Sequence, residues 1–92
     1  MAKNFYIAAR EGKNRVLTIQ LFGDFDASSA WELINLLDDS IDKPNKLTID
    51  TNGLRVINDF GLSVFLPRLS RLNKTLADVE VVGKFSNVFQ ED

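Results

Sequence analysis

The chain has 92 residues, of which 45% are hydrophobic, and its 13 acidic and 11 basic side chains give a net charge of −2. A chain of this length forms one domain, residues 1–92, with little room for a deep substrate cavity. It contains no cysteine and no histidine, which excludes disulfides, thiolate nucleophiles, histidine general bases and most transition-metal sites. The mildly acidic balance, without a basic stripe, predicts no nucleic-acid partner.

Targeting signals are not evident in the sequence. The first ten residues hold no apolar run long enough for a signal peptide, and no stretch of about 18 apolar residues occurs anywhere. We therefore expect a cytoplasmic protein with no direct membrane insertion.

The first quarter of the chain predicts a β-hairpin. Residues 5–9 form an apolar run, residues 11–14 have turn chemistry, and residues 16–22 alternate between apolar and polar side chains. Gly23 is expected to end the second strand. The two strands should pair antiparallel.

A helix follows the polar residues 24–29. Its apolar positions return at intervals of three and four residues: Leu33, Ile34, Leu37 and Ile41. Ser29 and Glu32 have the spacing of a capping box, in which each side chain bonds a free backbone amide of the first turn. Pro44 is expected to close the helix.

The second half of the chain alternates strands and helices. We predict a strand at 46–51, a loop at 52–58, a helix at 59–73, a strand at 79–82 ended by Gly83, and a short helix at 85–89. The order ββαβαβα predicts a small α/β fold with a mixed four-stranded sheet, whose later strands are parallel. Six core residues are predicted: Leu33, Leu37, Ile49, Phe65, Leu69 and Val81.

Two carboxylates stand close together where the second strand leads into the first helix. Asp24 and Asp26 could divide acid and base roles if their environments separated their pKa values. Acidic residues are, however, common at helix starts. No metal-ligand cluster accompanies them, so we favour a solvated loop over catalysis and expect no enzyme activity and no cofactor.

A third carboxylate, Asp59, lies where a loop enters the second helix. The amides of a first helical turn favour an anion, and Gly61 permits close approach of another group. The alternative is that Asp59 or Asn58 only caps the helix, since both residue types cap well. Neither of the two common phosphate-binding glycine motifs is present.

Other candidate surfaces lie on the two helices. Asp38, Asp39 and Asp42 near the end of the first helix oppose in sign a basic group near the end of the second, Arg68, Arg71 and Lys74. Solvated faces explain such runs, and complementary charge could also guide docking. Trp31, the single tryptophan, is either a core residue or, if exposed, an interface residue.

Three segments together resemble the STAS domain, the family shared by anti-sigma factor antagonists and sulfate transporters. They are LFGDFD at 21–26, LTID at 47–50 and VINDFGL at 56–62. The segments occur in the family's order and spacing, and the resemblance runs from about residue 15 to residue 89. It implies the STAS fold.

The resemblance also implies a site. In bacterial antagonists a motif Asp-Ser/Thr-x-Gly begins the second helix, and a partner kinase that is also the anti-sigma factor phosphorylates its hydroxyl. Asn58 takes the place of the motif's Asp, Asp59 takes the acceptor place and Gly61 is retained. Asp26 matches a family Asp in the neighbouring loop. The implied partner-binding residues are Asp26, Asn58, Asp59, Phe60, Gly61 and Leu62.

Asp59 departs from the family pattern, because a carboxylate cannot accept phosphate as a serine does. The first interpretation is a non-catalytic interaction module of the antagonist type, acting in signalling and transcription regulation. Its phosphorylation switch would be absent or locked, and its partner would be a serine kinase or related regulator. The alternative is an accessory STAS subunit of a membrane transporter. A third interpretation is an enzyme using Asp24, Asp26 or Asp59. We expect a monomer or weak dimer.

Overall fold

The computed structural model describes residues 4–39, 44–75 and 78–89. Four strands and two helices follow one another as β1 (Tyr6–Glu11), β2 (Val16–Phe25), α1 (Ala27–Asp38), β3 (Lys46–Ile57), α2 (Asp59–Thr75) and β4 (Val79–Val82). Short 3-10 turns lie at Lys13–Arg15 and Ser86–Phe89. The predicted order is confirmed, and the last predicted helix is the second 3-10 turn.

The sheet has the strand order β1-β2-β3-β4. β1 pairs antiparallel with β2, while β2–β3 and β3–β4 are parallel. The sheet is therefore mixed, as the hairpin followed by alternating strands and helices predicts. α1 and α2 pack side by side.

Both central strands are longer than the sequence suggests. Gly23 does not end β2, which continues to Phe25, and residues 52–57, predicted as loop, belong to β3. The register of the β2–β3 pair shifts after Gln20 and again after Gly23, and β3 gains one residue on β2 each time. Turn-forming residues are thus absorbed as bulges inside the paired strands.

Gly23 is required at its bulge for two reasons. Its φ of +90° lies in the region that residues with a Cβ rarely adopt. A Cβ there would also collide with the backbone oxygen of Asn4. Gly23 therefore lies at a register shift where the backbone of Asn4 comes close, and it does not end the strand.

The core lies between the sheet and the helices. Of the six predicted core residues, Leu33, Ile49, Phe65 and Leu69 are buried. Leu37 and Val81 are only half-buried and pack against the core from its rim. Leu37 is near the end of α1 and Val81 is on the edge strand β4, where fewer elements cover a side chain. Ile41 and Asp42 lie outside the described residues.

An aromatic cluster fills one end of the core. The rings of Phe25, Phe65 and Phe89 pack edge to face, with centroids 5.3 to 6.0 Å apart, and all three are fully buried. Phe25 is the last residue of β2. The cluster therefore lies directly beneath the point where β2 leads into α1.

Candidate functional site

The starts of both helices lie at one edge of the sheet. β2 ends at Phe25 and β3 ends at Ile57, and these two residues are paired in the parallel register. The Asn58 amide donates to the Phe25 carbonyl at 2.8 Å. Since α1 and α2 each begin two residues after these strand ends, the loops of Asp26 and Asn58 are neighbours.

Gly61 is the residue that lets the two loops approach. It is buried in the first turn of α2. A Cβ at this position would lie 2.8 Å from the carbonyl oxygen of Asp26 and 2.9 Å from that of Phe25. No real side chain fits at such distances from backbone atoms. Gly61 is thus needed because it lacks a side chain, which lets the two loops come close together. Leu62 beside it packs against the core.

Asp26 is the N-cap of α1. Its Oδ1 accepts the Ser29 amide at 3.0 Å and the Ser28 hydroxyl at 2.7 Å. The Ser28 hydroxyl above all, and then the Ser29 amide, hold the pKa of Asp26 below its usual value near 3.8. Hydrogen bonds to the charged form favour it, so Asp26 is a fixed anion near neutral pH.

The predicted capping box of Ser29 and Glu32 is wrong. α1 begins at Ala27, so Ser29 is already the third helical residue. Its buried hydroxyl donates to the Asp24 carbonyl at 2.7 Å, and Glu32 is exposed. Aspartate three residues before a free amide is an equally good cap, and the longer β2 places Asp26 in that position.

Asn58, not Asp59, caps α2. The Asn58 side-chain oxygen accepts the Phe60 amide at 2.8 Å, and the helix begins at the next residue, Asp59. Among the described residues no hydrogen bond or ion pair engages the Asp59 side chain, which is exposed. Of the two capping residues that the sequence offered, the structure therefore assigns the cap to Asn58, and Asp59 is the first helical residue.

The surface around these residues is acidic and aromatic. Asp26, Ala27, Ser28, Asn58 and Phe60 line a shallow depression of about 380 Å³. Phe60 is 75% exposed, the largest exposure among the described large hydrophobic residues.

Trp31 lies on α1, the helix that begins beside the depression. It is 50% exposed, which removes the core interpretation. It lies four residues after Ala27, and residues at this spacing share a helix face. Trp31 is therefore an exposed aromatic residue on the same face of α1 as Ala27, which lines the depression.

Asp24 forms an ion pair with Arg55. The Arg55 guanidinium donates to both Asp24 oxygens, with Nη2 at 3.0 Å from Oδ1 and 3.2 Å from Oδ2. One carboxylate of the candidate pair thus binds a guanidinium and the other caps a helix. Both have structural roles that account for their presence.

The two charged groups on the helices meet each other. Arg68 Nη1 lies 3.3 Å from Asp38 Oδ2, across a groove of about 200 Å³ between α1 and α2. This pair of opposite charges therefore joins α1 to α2. Within residues 4–39, 44–75 and 78–89, no group of three or more acidic side chains is arranged to hold a metal ion.

Neither helix of the described chain is long and apolar enough to span a bilayer.

Comparison with known proteins identifies the family. The STAS domain model matches residues 8–90, whereas curated protein sequences gave no match. A STAS domain antisigma-factor antagonist from Rhodobacter sphaeroides has a TM-score of 0.72, and the match covers 95% of this chain and 92% of that one. The unphosphorylated anti-sigma factor antagonist SpoIIAA has a TM-score of 0.70, with 92% and 78% covered. An antagonist from Mycobacterium paratuberculosis has a TM-score of 0.61, with 90% and 72% covered.

All three structures are 16% identical to this chain, a level at which they establish a shared fold. The family match is the stronger result, since it covers nearly the whole sequence. It also includes the three segments on which the resemblance rested. The chain belongs to the STAS domain family.

Proposed function

We propose that this chain is a non-catalytic regulatory module of the anti-sigma factor antagonist type, which binds a protein partner through the edge where α1 and α2 begin. The observation that carries the proposal is the position of Asp59. Its carboxylate is exposed on the first residue of α2, has no structural partner among the described residues, and lies on the helix whose first turn packs against Asp26.

The charge at position 59 is permanent. A phosphoserine there would carry about −1.5 to −2 charges and three acceptor oxygens, whereas a carboxylate carries −1 and two oxygens. A negative charge at a helix N-terminus is favourable, so Asp59 costs the fold nothing. The usual switch between a neutral and a charged state is therefore absent, and the edge is held in a partly phosphorylated-like state.

The neighbouring side chains favour a protein partner over a small substrate. The depression beside Asn58 is shallow, and the exposed ring of Phe60 stands at its rim. Exposed aromatic residues are frequent energetic centres of protein interfaces. With Asp26 and Asp59 both anionic, the surface fits a partner that offers an apolar pocket beside a basic group.

We infer the partner class from the fold. The similar structures are described as anti-sigma factor antagonists, and a serine kinase or related regulator is the partner type that such a role requires. An accessory role in a membrane transporter shares the same fold, and recovery of transporter subunits would overturn our choice.

The test separates charge from stability at position 59. Because Asn58 provides the cap, we expect Asp59→Asn and Asp59→Ala to change the free energy of unfolding by less than ~0.5 kcal/mol, which is the lower end of a helix-dipole effect. Asn58→Ala is the control and should lose about 1 kcal/mol. Urea unfolding followed by circular dichroism measures both.

Binding is then measured with the partner recovered by affinity capture on the wild-type chain. Asp59→Asn and Asp59→Ser should change its affinity ~10-fold or more, equivalent to ~1.4 kcal/mol. With ATP, the wild-type chain should take up no phosphate at position 59, and Asp59→Ser should become an acceptor. Equal affinity for wild type and Asp59→Asn would remove the locked-switch hypothesis.

A further inference from the structure

Strand β1 lies at the edge of the sheet, and in the described chain no strand pairs with its outer side. Such an edge is a template for another strand unless it is blunted by a bulge, a proline or charge. β1 pairs with β2 over Tyr6–Glu11 without a register shift. It contains no proline, and its first four residues are uncharged. The usual protections are therefore missing from most of this edge.

The two faces of β1 differ. Ile7 packs against the core, so Ile7, Ala9 and Glu11 belong to the helix-covered face. Tyr6, Ala8 and Arg10 then alternate onto the opposite face. Tyr6 is 57% exposed, and its ring is stacked on Phe22 with centroids 4.6 Å apart. The open face thus presents a supported aromatic ring at one end of the strand and a guanidinium at the other.

We propose that β1 is a self-association edge, which pairs antiparallel with β1 of a second copy about a two-fold axis at Ala8. A two-fold axis perpendicular to the sheet keeps each face of β1 on the same side in both copies. Residues opposite each other must then share a face, and because side chains alternate between faces, the axis passes between one residue and its own copy. Centred on Ala8, the pairing sets Tyr6 opposite Arg10 of the second copy. Ile7 is then opposite Ala9, and Ala8 opposite itself.

This register is the complementary one. Each guanidinium lies beside an aromatic ring, a cation–π arrangement that occurs twice. Ile7, Ala8 and Ala9 are opposite apolar side chains, and Glu11 is opposite Phe5. An axis at Ala9 would instead set Arg10 opposite Ala8 and Tyr6 opposite Gly12, so the contact between the guanidinium and the ring would be lost. An axis at Ile7 would leave Arg10 opposite Asn4 and lose the contact with Tyr6.

The pairing buries little surface, because β1 has only six residues. Interfaces below ~1,200 Å² are characteristic of weak, transient complexes. We therefore expect a dimer that forms in a concentration-dependent way. The inference does not rest on Asp59 or on the proposed regulatory role.

The natural absence of cysteine permits a register-specific test. Ala8→Cys should give a disulfide-linked dimer under mild oxidation, since it brings a thiol opposite its own copy. Ala9→Cys is the matched control, because Ala9 is also exposed. In the proposed dimer, residue 9 of one copy is opposite Ile7 of the other. The Cα atoms of the two introduced cysteines would therefore lie beyond the ~7 Å that a disulfide spans. Equal cross-linking of the two variants would show random collision and contradict the proposal.

Sedimentation equilibrium provides the second test. Arg10→Glu should raise the dimer dissociation constant ~10-fold or more, because it replaces two cations beside aromatic rings with anions. Arg71→Glu makes the same charge change on α2 and should leave the constant unaltered. The inference would be overturned by a wild-type chain that remains monomeric at about 1 mM, a concentration well above the dissociation constant of typical weak complexes.

Discussion

Substitution of Gly61 tests the geometry on which the candidate site depends. In Gly61→Ala the new Cβ would lie 2.8 Å from one carbonyl oxygen and 2.9 Å from another, both in the backbone at Phe25 and Asp26. A backbone cannot rotate away as a flexible side chain can. The first turn of α2 must therefore move off the β2–α1 junction.

Three effects decide the magnitude. Overpacking costs ~1–3 kcal/mol, and displacement weakens the hydrogen bond from the Asn58 amide to Phe25, at ~0.5–1.5 kcal/mol. Alanine recovers about 1 kcal/mol of helix propensity relative to glycine. The balance is a destabilisation of about 2 kcal/mol, or ~8–16 °C in Tm for a domain of this size.

The assay is equilibrium urea unfolding followed by far-ultraviolet circular dichroism, with Gly12→Ala as the control. Gly12 has a φ of −105°, and a Cβ there would meet nothing closer than the Val16 oxygen at 3.8 Å. Alanine should be neutral or stabilise by ~0.4–1 kcal/mol at such a site. If Gly61→Ala is also neutral or stabilising, the close approach of the two helix starts is not a constraint and the reasoning fails.

Two further predictions concern hydrogen bonds. The buried Thr51 hydroxyl donates to the Val82 carbonyl at 2.8 Å and accepts a hydrogen bond from the Phe85 amide at 3.1 Å. In urea unfolding, Thr51→Val should therefore lower the free energy of unfolding by ~1–3 kcal/mol, whereas Thr51→Ser loses only a methyl group, about 0.8 kcal/mol. Equal losses for the two variants would contradict this role of the hydroxyl. The lowered pKa of Asp26 means that its contribution to stability is present above the unfolded value, about 3.9, and is lost as pH falls through the lower folded value. Ser28→Ala should raise the Asp26 pKa in an NMR titration and reduce this acid sensitivity, and an unmoved pKa would show that the Ser28 hydroxyl is not its cause.

The order of elements follows from local patterns, whereas the lengths of the central strands do not. Alternation in residues 16–22 and helical spacing around Leu33 and Phe65 identify the elements. Asn52 and Gly53 carry strong turn signals, yet they lie within β3. Their conformation depends on pairing with β2 at bulges, a tertiary effect that a window of neighbouring residues cannot reveal.

At the candidate site, the sequence predicts which residues lie at the start of the second helix, but it does not predict which of them caps the helix. The motif around Asp59 is visible in the sequence. Whether Asn58 or Asp59 forms the cap depends on where the strand ends, because moving a helix start by one residue changes the capping side chain. The Arg55–Asp24 pair had no local signal, since its partners are brought together only by the parallel register.

The burial of Phe89 bears on how the chain matures. Its ring completes the aromatic cluster with Phe25 and Phe65, yet it is supplied by the last described element, Ser86–Phe89. Domains fold as their chains emerge during synthesis. The rings of Phe25 and Phe65 therefore remain exposed on one side until this turn leaves the ribosome. Cleavage that removes the turn would uncover the rings of Phe25 and Phe65 on the side that Phe89 covers.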